Sequence, residues 1–221
     1  AISVLTQSLR VHRDGYPLPE YKYQVVSDPL EVALWLPELI KWSFDKPVAM
    51  DTEWDKDGNI LCLSVYYGDE LVTVFSEEIM QDEVARNTLF EFIKAHYYII
   101  WANGKADQVA VMRRWGVWLP CWFDTMLAHH ALHPSASGQH GLKDMAQRYF
   151  GVEDWDKELH KHIGSGDNID FGLAPREMLY EYNGMDSFYT FWLYIHFLPM
   201  VENIPALWDE IKWANNFVDV E

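Results

Sequence analysis

Residues 47–55 read PVAMDTEWD, an apolar run that ends in two carboxylates, Asp51 and Glu53. The two acidic residues are two positions apart, so on a strand both side chains point to the same face. Two like charges side by side are costly unless a cation neutralises them. An exposed strand end is the simpler alternative, but functional sites of α/β sheets commonly lie where strands end. The stretch therefore predicts a sheet strand with a candidate cation site at its end.

A third carboxylate lies near the start of a predicted helix. Residues 101–109, WANGKADQV, follow an apolar run, and Asn103 is expected to open a helix that carries Asp107 one turn in. One interpretation is local, with Asn103 capping the helix and Asp107 favouring its positive end. The functional interpretation is that the same geometry aims the Asp107 carboxylate back across the edge of the sheet.

A fourth carboxylate lies on a late helix. Residues 180–189, YEYNGMDSFY, place Tyr182 and Asp186 four positions apart and hence on one helix face. A core tyrosine beside an exposed aspartate is the alternative. Gly184 lies between them at a cost of about 1 kcal/mol relative to alanine in a helix. We therefore expect another backbone or a ligand to approach the helix closely at this point.

Four carboxylates converging on one point would make a site for hard divalent cations such as Mg²⁺ or Mn²⁺. Pairs of metal ions held in this way commonly hydrolyse phosphodiesters. The three motifs, D-x-E on a strand, N-x-x-x-D at a strand-to-helix junction and Y-x-x-x-D on a late helix, follow the order found in the DEDD exonucleases. Over about residues 21–198 the chain resembles the tyrosine-bearing (DEDDy) branch of that superfamily. It is most similar to the proofreading 3′→5′ exonuclease domain of family A DNA polymerases. In this chain, NGKAD resembles the second motif of that group, and GLKDMAQRYFG resembles its intermediate helix.

The resemblance implies an α/β fold, a ribonuclease H-like mixed sheet flanked by helices. It also implies a role for each matching residue. Asp51 would bridge two divalent metal ions, Mg²⁺ or Mn²⁺, and Glu53 and Asp186 would complete the site around the attacking water. Asp107 would help to hold the second ion, and Tyr182 would orient the water. The expected activity is hydrolysis at the 3′ end of single-stranded or frayed DNA, which releases nucleoside 5′-monophosphates during proofreading.

Two further residues are candidates for binding the substrate. Trp54 is a platform on which a frayed terminal base could stack, although ordinary packing is an equally good interpretation. Asn103 is expected to support the Asp107 helix or the substrate. Polymerase domains often carry threonine at the position of Trp54, whereas ribonuclease D-like and Werner-type exonucleases carry an aromatic residue. A ribonuclease D-like exoribonuclease therefore remains an alternative function. The non-enzymatic alternative is a vestigial exonuclease fold that is kept as a structural module of a polymerase.

Composition limits how the chain can hold a polymer. The 221 residues carry 17 basic and 34 acidic side chains, for a net charge of −17, which argues against a broad electrostatic footprint for nucleic acid. We expect a partner or a neighbouring polymerase domain to supply most of the contacts that bind single-stranded DNA. No apolar run is long enough for a membrane span, and we expect no secretory leader. Two cysteines without metal spacing are expected to be buried free thiols, which fits the cytoplasm.

The pattern of elements predicts one catalytic domain with two extensions. Residues 1–20 are an irregular arm, 21–198 the exonuclease domain, and 199–221 a helical extension that resembles the segment leading into a polymerase. We predict strands at 21–26, 47–50, 60–67, 71–75 and 97–101, with a hairpin turn at 68–70. We predict helices at 29–43, 81–95, 103–115, 125–132, 141–150, from 175 onward and 200–217. Residues 152–174 are expected to be irregular or mobile, with one short helix.

The remaining charged and histidine residues carry no specific assignment. The five histidines at 129, 130, 133, 160 and 162 are interpreted as ordinary structural or exposed residues. Five basic residues could line a path for phosphates, although a solvated face is the simpler interpretation: Lys143, Arg148, Lys157, Lys161 and Arg176. Asp124 is interpreted as a helix cap rather than as a further metal ligand.

Overall fold

The computed structural model describes residues 18–34, 46–96, 98–136, 138–164 and 169–216. Most of the predicted N-terminal arm and most of the helix predicted at 29–43 lie outside these ranges. None of the helices in the described part of the chain is long and apolar enough to span a membrane.

Within the described residues, six strands form one mixed sheet in the order β1-β4-β3-β2-β5-β6. The strands are β1 (Tyr23–Val26), β2 (Val48–Trp54), β3 (Ile60–Tyr66), β4 (Val72–Phe75), β5 (Ile99–Trp101) and β6 (Phe123–Asp124). Strand β3 is antiparallel to β2 and β4, and the other neighbouring pairs are parallel. The predicted turn at 68–70 joins β3 to β4, so the predicted hairpin is confirmed.

Helices cover both faces of the sheet, which confirms the predicted α/β class. They are α1 (which includes residues 29–34), α2 (Glu77–Gln81), α3 (Glu83–Ala95), α4 (Gly104–Trp115), α5 (Thr125–Leu132), α6 (Leu142–Phe150), α7 (His160–Ile163), α8 (Arg176–Glu202) and α9 (Pro205–Asn216), with a 3₁₀ turn at Phe171–Leu173. The long helix α8 lies across β2, β3 and β4.

The sheet separates two apolar cores. On one face, Met50 of β2 packs in a cluster with Leu89 of α3 and Val111 of α4. On the other face, Ala49 packs in a cluster with Leu193 of α8. Strand β2 is thus covered on both sides, which explains why its sequence begins as an uninterrupted apolar run.

Two predicted boundaries are wrong for local reasons. The strand predicted at 47–50 continues to Trp54, because β2 pairs with β3 along its whole polar end. The helix predicted at 81–95 begins at Glu83 instead, as α3, and a separate short helix, α2, precedes it. Asp82 separates them, and its side chain accepts a hydrogen bond from the backbone N–H of Ala85 and so caps α3.

The segment 152–174 follows an irregular course with the one short α-helix predicted, α7, and it is attached to the rest of the domain. Leu159 and Ile163 are buried in the same core as α8. The backbone N–H of Asp170 donates to the carbonyl oxygen of Ile163 at 2.9 Å. These contacts hold the described part of the segment against the face of the sheet that α8 covers.

The C-terminal helices extend the same core. Helix α8 runs without interruption past the proposed boundary at 198/199 to Glu202. Ile211 of α9 is buried in the cluster that also contains Phe197 and Phe123. The described part of the proposed extension therefore packs on the domain.

Gly184 allows α8 to lie close to the sheet. A Cβ atom at this position would overlap the hydroxyl group of Tyr21 and would lie 3.3 Å from Cγ2 of Val74. The Tyr21 hydroxyl donates to the carbonyl oxygen of Glu181 at 3.0 Å, so it has little room to move away. The close approach is therefore present, but it is made by the side chains of Tyr21 and Val74 rather than by the backbone or ligand that was expected.

We predict that Gly184→Ala lowers the free energy of unfolding by about 1–3 kcal/mol, because overpacking outweighs the better helix propensity of alanine. Chemical denaturation measures the change. Tyr21→Phe removes the overlapping oxygen. Gly184→Ala should therefore cost less stability when it is introduced into the Tyr21→Phe variant than when it is introduced into the wild type. Strictly additive losses would contradict the contact.

Candidate active site

Strand β2 carries two of the predicted carboxylates. Because side chains alternate along a strand, Asp51 and Glu53 lie on the same face as Ala49, which is the face covered by α8. Their backbones pair with Ser64 and Cys62 of β3. Both carboxylates are therefore held by a paired strand rather than by a loose strand end.

Helix α8 brings Tyr182 and Asp186 to this face. The Ser64 hydroxyl donates to the carbonyl oxygen of Asn183 at 2.8 Å, which ties the helix to β3. The side-chain amide of Asn183 donates to Oδ2 of Asp51 at 2.7 Å. This fully buried asparagine thus fixes one oxygen of Asp51 against the helix.

Three carboxylates converge on one point. One oxygen each from Asp51, Glu53 and Asp186 lie within 4.8 Å of one another. Glu53 and Asp186 are only 7% and 6% exposed, whereas Asp51 keeps more of its surface accessible. Oxygen ligands gathered at this spacing can hold a hard divalent cation. The structure therefore brings together three of the four predicted metal ligands.

Asp107 reaches β2 from α4 but does not belong to this group of three. Its Oδ1 atom accepts hydrogen bonds from the backbone N–H of Thr52 at 2.9 Å and from the Thr52 hydroxyl at 2.6 Å. Thr52 lies between Asp51 and Glu53, so Asp107 is attached directly beside the cluster. Burial raises the pKa of Asp107 to about 7, against the opposing effect of the two Thr52 hydrogen bonds.

The start of α4 is held by Asp124 rather than by a side-chain cap from Asn103. Asn103 has a left-handed backbone (φ 61°) and its side chain makes no capping hydrogen bond, so the predicted cap is wrong. Instead, the Asp124 carboxylate accepts from the backbone N–H groups of Asn103 at 3.2 Å and Gly104 at 2.9 Å. It also accepts from Met126 and Leu127, which confirms Asp124 as the cap of α5. One buried carboxylate therefore sets the direction of both helices.

Ionisation of the three clustered carboxylates is unfavourable in the absence of a cation. Removal from water, and then the neighbouring carboxylates, raise the pKa of Asp51 and of Glu53 well above their usual values. Burial also raises the pKa of Asp186, while Lys143 and Trp155 oppose that rise. A bound cation would remove this cost, because it favours the ionised carboxylates. The donor set thus fits a divalent metal ion.

Lys143 of α6 is the positive group within the cluster. Its Nζ atom donates to the Tyr182 hydroxyl at 2.8 Å and lies 3.6 Å from Oδ2 of Asp186 and 3.7 Å from Asp156. Burial lowers the pKa of Lys143, but Asp186 and Asp156 outweigh that effect and the pKa is raised. The sequence pattern pointed only to a phosphate path or a solvated face for this residue.

Trp155 is a site residue that sequence reasoning missed. Its indole N–H donates to Oδ1 of Asp186 at 2.6 Å, and its ring stacks on Tyr189 at 4.5 Å between centroids. Trp155 lies in the segment 152–174, where no periodic pattern marks a contact with α8. Both oxygens of Asp186 therefore face a positive or donating group, Trp155 on one side and Lys143 on the other.

The structure does not bring the two predicted substrate-binding residues into the cluster. Trp54 packs against the core cluster on the opposite face of the sheet. Asn103 lies at the start of α4, next to Asp124. Arg176, one of the five basic residues, is paired with Glu77 at 2.6 Å.

The hydroxyl group of Tyr182 remains protonated in this environment. Burial, followed by the charges of Asp186 and Glu53, raises the pKa of Tyr182 well above its usual value. The Tyr182 oxygen accepts from Lys143, and the hydroxyl group also forms a hydrogen bond with Asp186. Tyr182 is thus suited to orient a water molecule and poorly suited to act as a base.

Comparisons with known structures agree on the fold. Ribonuclease D from Trypanosoma brucei is 16% identical with a TM-score of 0.66, and the alignment covers 91% of this chain and 76% of that one. Brucella melitensis NrnC with bound Mg²⁺ is 17% identical with a TM-score of 0.58 over 91% of this chain and 98% of that one. Escherichia coli ribonuclease D is 17% identical with a TM-score of 0.62 over 89% of this chain and 51% of that one. These likenesses confirm the ribonuclease H-like fold.

Comparison of sequences leads to the family. The DNA polymerase of Escherichia phage T5 is 26% identical in an alignment 211 positions long, and the match covers 81% of this chain and 23% of that polymerase. The chain thus spans less than a quarter of the length of this relative. The family described as 3′-5′ exonuclease, of the DNA polymerase A type, matches residues 23–202. The match includes every carboxylate of the cluster as well as Asp107 and Tyr182, and the chain belongs to this 3′-5′ exonuclease family.

Proposed function

We propose that the chain hydrolyses phosphodiesters at the 3′ end of single-stranded or frayed DNA and releases nucleoside 5′-monophosphates, as a proofreading activity. The observation that carries the proposal is the convergence of Asp51, Glu53 and Asp186 within 4.8 Å, on a buried face where each carboxylate has a raised pKa. Carboxylates placed at such cost have no structural use without a cation. This argues against a vestigial module.

Two divalent ions, Mg²⁺ or Mn²⁺, would be held by Asp51, Glu53 and Asp186, with Asp107 assisting beside Thr52. Bound there, the ions supply positive charge that lowers the pKa of water and neutralises charge on the phosphate. Asn183 keeps Asp51 in place through its 2.7 Å hydrogen bond. Helix α8 and strand β2 therefore supply a fixed set of ligands rather than one assembled on binding.

The reaction needs an aligned water molecule. Tyr182 would donate a hydrogen bond to this water and so orient it toward the terminal phosphorus, and Lys143 holds the Tyr182 oxygen at 2.8 Å. The water oxygen forms the new bond to phosphorus and releases a proton to solvent as the bond from phosphorus to the 3′ oxygen of the preceding nucleotide breaks. That leaving oxygen takes up a proton from solvent, and the nucleoside 5′-monophosphate departs.

The polymer must be held mainly by other parts of the enzyme. The net charge of −17 disfavours a long contact with phosphates, and the similarity to a much longer phage polymerase supports a polymerase domain as the partner. Residues 199–221 would lead toward that domain. We expect this assembly to act in the cytoplasm, where it would meet replicating DNA.

A ribonuclease D-like action on RNA ends is the second candidate. The observation in its favour is the structural likeness to ribonuclease D from two organisms. Trp54 lies on the opposite face of the sheet from the carboxylates, so its aromatic ring does not decide between DNA and RNA at the site of cleavage.

We predict that the protein with Mg²⁺ or Mn²⁺ shortens a 5′-labelled single-stranded DNA from its 3′ end. Asp51→Ala and Asp186→Ala should each reduce the rate at least about a hundredfold, because each removes a ligand on which charge stabilisation depends. Tyr182→Phe should reduce it about tenfold to a hundredfold, the value of a hydrogen bond to a charged group. Gel analysis of the product ladder measures the rates.

The exposed Asp57, on the turn after β2, is the matched control, and Asp57→Ala should leave the rate unchanged. RNA of the same sequence is the second substrate. If the protein cleaves RNA faster than DNA, the proposed DNA exonuclease would be replaced by an exoribonuclease. No cleavage of either polymer by a folded wild-type protein would favour the structural module.

We predict that Asp51→Asn stabilises the metal-free protein by about 0.5–2 kcal/mol while it abolishes activity, because it removes one charge from the repelling cluster. The raised pKa values mean that the folded state binds protons more tightly than the unfolded state. The free energy of unfolding of the metal-free wild type therefore falls as the pH rises from about 4 to 7. Asp51→Asn should make this fall smaller, as denaturation in EDTA across this pH range would reveal.

Asp124→Asn is the matched control, since it makes the same chemical change in another buried carboxylate. Here the new amide would face the backbone N–H of Gly104, which now donates to Oδ2 of Asp124 at 2.9 Å. A donor left without a partner costs about 1–3 kcal/mol, so this variant should be destabilised. Destabilisation of both variants to the same extent would contradict the repulsion in the metal cluster.

A further inference from the structure

Trp155 reaches a predicted metal ligand from outside the regular elements. It follows the end of α6 by five residues, and its indole N–H donates to Oδ1 of Asp186 at 2.6 Å. Asp186 is buried, whereas Trp155 is partly exposed. A hydrogen bond to an ionised carboxylate is stronger than one between two neutral groups. Trp155 is therefore firmly attached to the one carboxylate of the cluster that does not lie on β2.

The orientation of a carboxylate group is not fixed by the helix that carries it. Rotation about the bond between Cβ and Cγ of an aspartate is broad, so α8 places the carbon atoms of Asp186 but not its two oxygens. Asp51 has the same freedom and loses it through the 2.7 Å hydrogen bond from Asn183. Trp155 makes the corresponding hydrogen bond to Asp186. Two ligands on different elements are thus each oriented by a side-chain N–H group.

Tyr189 supports the indole ring of Trp155. The two rings are stacked, with centroids 4.5 Å apart and planes inclined by 28°. Tyr189 comes three residues after Asp186 on α8, so both side chains lie on the same side of the helix. Helix α8 therefore supplies the acceptor of the hydrogen bond and also the surface on which the ring of the donor rests.

The chain that follows Trp155 is anchored as well. Leu159 and Ile163 are buried in the core that contains α8. Asp156, the next residue after Trp155, lies 3.7 Å from Nζ of Lys143. The indole N–H is thus already in place, and little additional ordering of this segment is needed when an ion binds.

We propose that Trp155, supported by Tyr189, fixes the orientation of Asp186 and thereby sets the affinity of the carboxylate cluster for a divalent ion. Trp155 acts through Asp186 and is a positioning residue. An ionised carboxylate has about four acceptor positions on its two oxygens, so Asp186 can accept from Trp155 and face an ion at the same time. This role rests on the proposed function, because it requires an ion at the carboxylate cluster.

A competing role for the indole N–H would have the opposite effect on metal binding. If Asp186 had to leave Trp155 before an ion could bind, loss of the hydrogen bond would strengthen metal binding. If Trp155 positions Asp186, loss of the hydrogen bond weakens metal binding. The stack favours positioning, because Tyr189 and Asp186 belong to one helix and hold the indole ring together.

Calorimetric titration of the 221-residue protein with Mn²⁺, without nucleic acid, tests the proposal. Trp155→Phe keeps an aromatic ring for the stack on Tyr189 and removes the N–H. We expect its affinity for Mn²⁺ to fall about tenfold to a hundredfold, the usual effect of losing a hydrogen-bond partner of a metal ligand. Trp115→Phe is the matched control and should bind Mn²⁺ as the wild type does, because Trp115 packs against the core on the opposite face of the sheet.

A second pair of variants tests the support from Tyr189. Tyr189→Ala removes the stacked ring and should also weaken Mn²⁺ binding, whereas Tyr189→Phe keeps the ring and should not. Because Tyr189 acts through Trp155, Tyr189→Ala should cause little further loss of affinity in the Trp155→Phe variant. Thermal unfolding in EDTA shows whether each variant is folded, independently of its affinity for the ion.

Three results would overturn the proposal. An unchanged Mn²⁺ affinity in folded Trp155→Phe would leave the hydrogen bond as a packing contact, and a higher affinity would make Trp155 a competitor of the ion. Full additivity of the losses in Trp155→Phe and Tyr189→Ala would remove the role of Tyr189. Absence of Mn²⁺ binding in the folded wild type would instead reject the metal site of the proposed function. The two failures are distinguishable, because the wild type reports on the metal site and only the variants report on Trp155.

Discussion

Repulsion among Asp51, Glu53 and Asp186 is the constraint on which the rest of the site depends. Their oxygens are held within 4.8 Å of one another on a face from which water is largely removed. In the absence of a cation such an arrangement tends to open. It stays closed because two of the carboxylates are on a strand that pairs with β3 at both positions and the third is on a helix that packs across β2, β3 and β4. The cost in stability is what makes the site receptive to divalent ions.

A set of buried hydrogen bonds keeps the carboxylates in position. Asn183 holds Asp51, and Thr52 holds Asp107 with both its backbone and its hydroxyl group. Asp124 holds the N–H groups of Asn103 and of Gly104, the first residue of α4, so the helix that carries Asp107 cannot shift along the sheet without leaving them unpaired. Asn183 contacts the carboxylate cluster directly, whereas Thr52 and Asp124 act through Asp107 and its helix. Their effect is to remove the freedom that would let the charges separate.

The sequence predicted the parts of the site that depend on local pattern. The period-two spacing of Asp51 and Glu53 and the four-residue spacing of Tyr182 and Asp186 follow from strand and helix geometry, and both pairs face the same side of the sheet in the structure. The contacts that pattern could not predict join distant segments. Trp155 and Asp186 are 31 residues apart, and Lys143 and Tyr182 are 39 apart. Local periodicity does not predict such pairs, because they form only when α6 and the segment after it pack on α8.

Diffraction from crystals soaked in Mn²⁺, with anomalous scattering to locate the ion, tests the central claim most directly. The account predicts Mn²⁺ at about 2.1 Å from oxygens of Asp51, Glu53 and Asp186, with Asp186 released from Trp155 or sharing its oxygen with the ion. It also predicts a second ion on the Asp107 side of Asp51. Anomalous density absent from this cluster, with Asp186 still bound to both Trp155 and Lys143, would contradict the account.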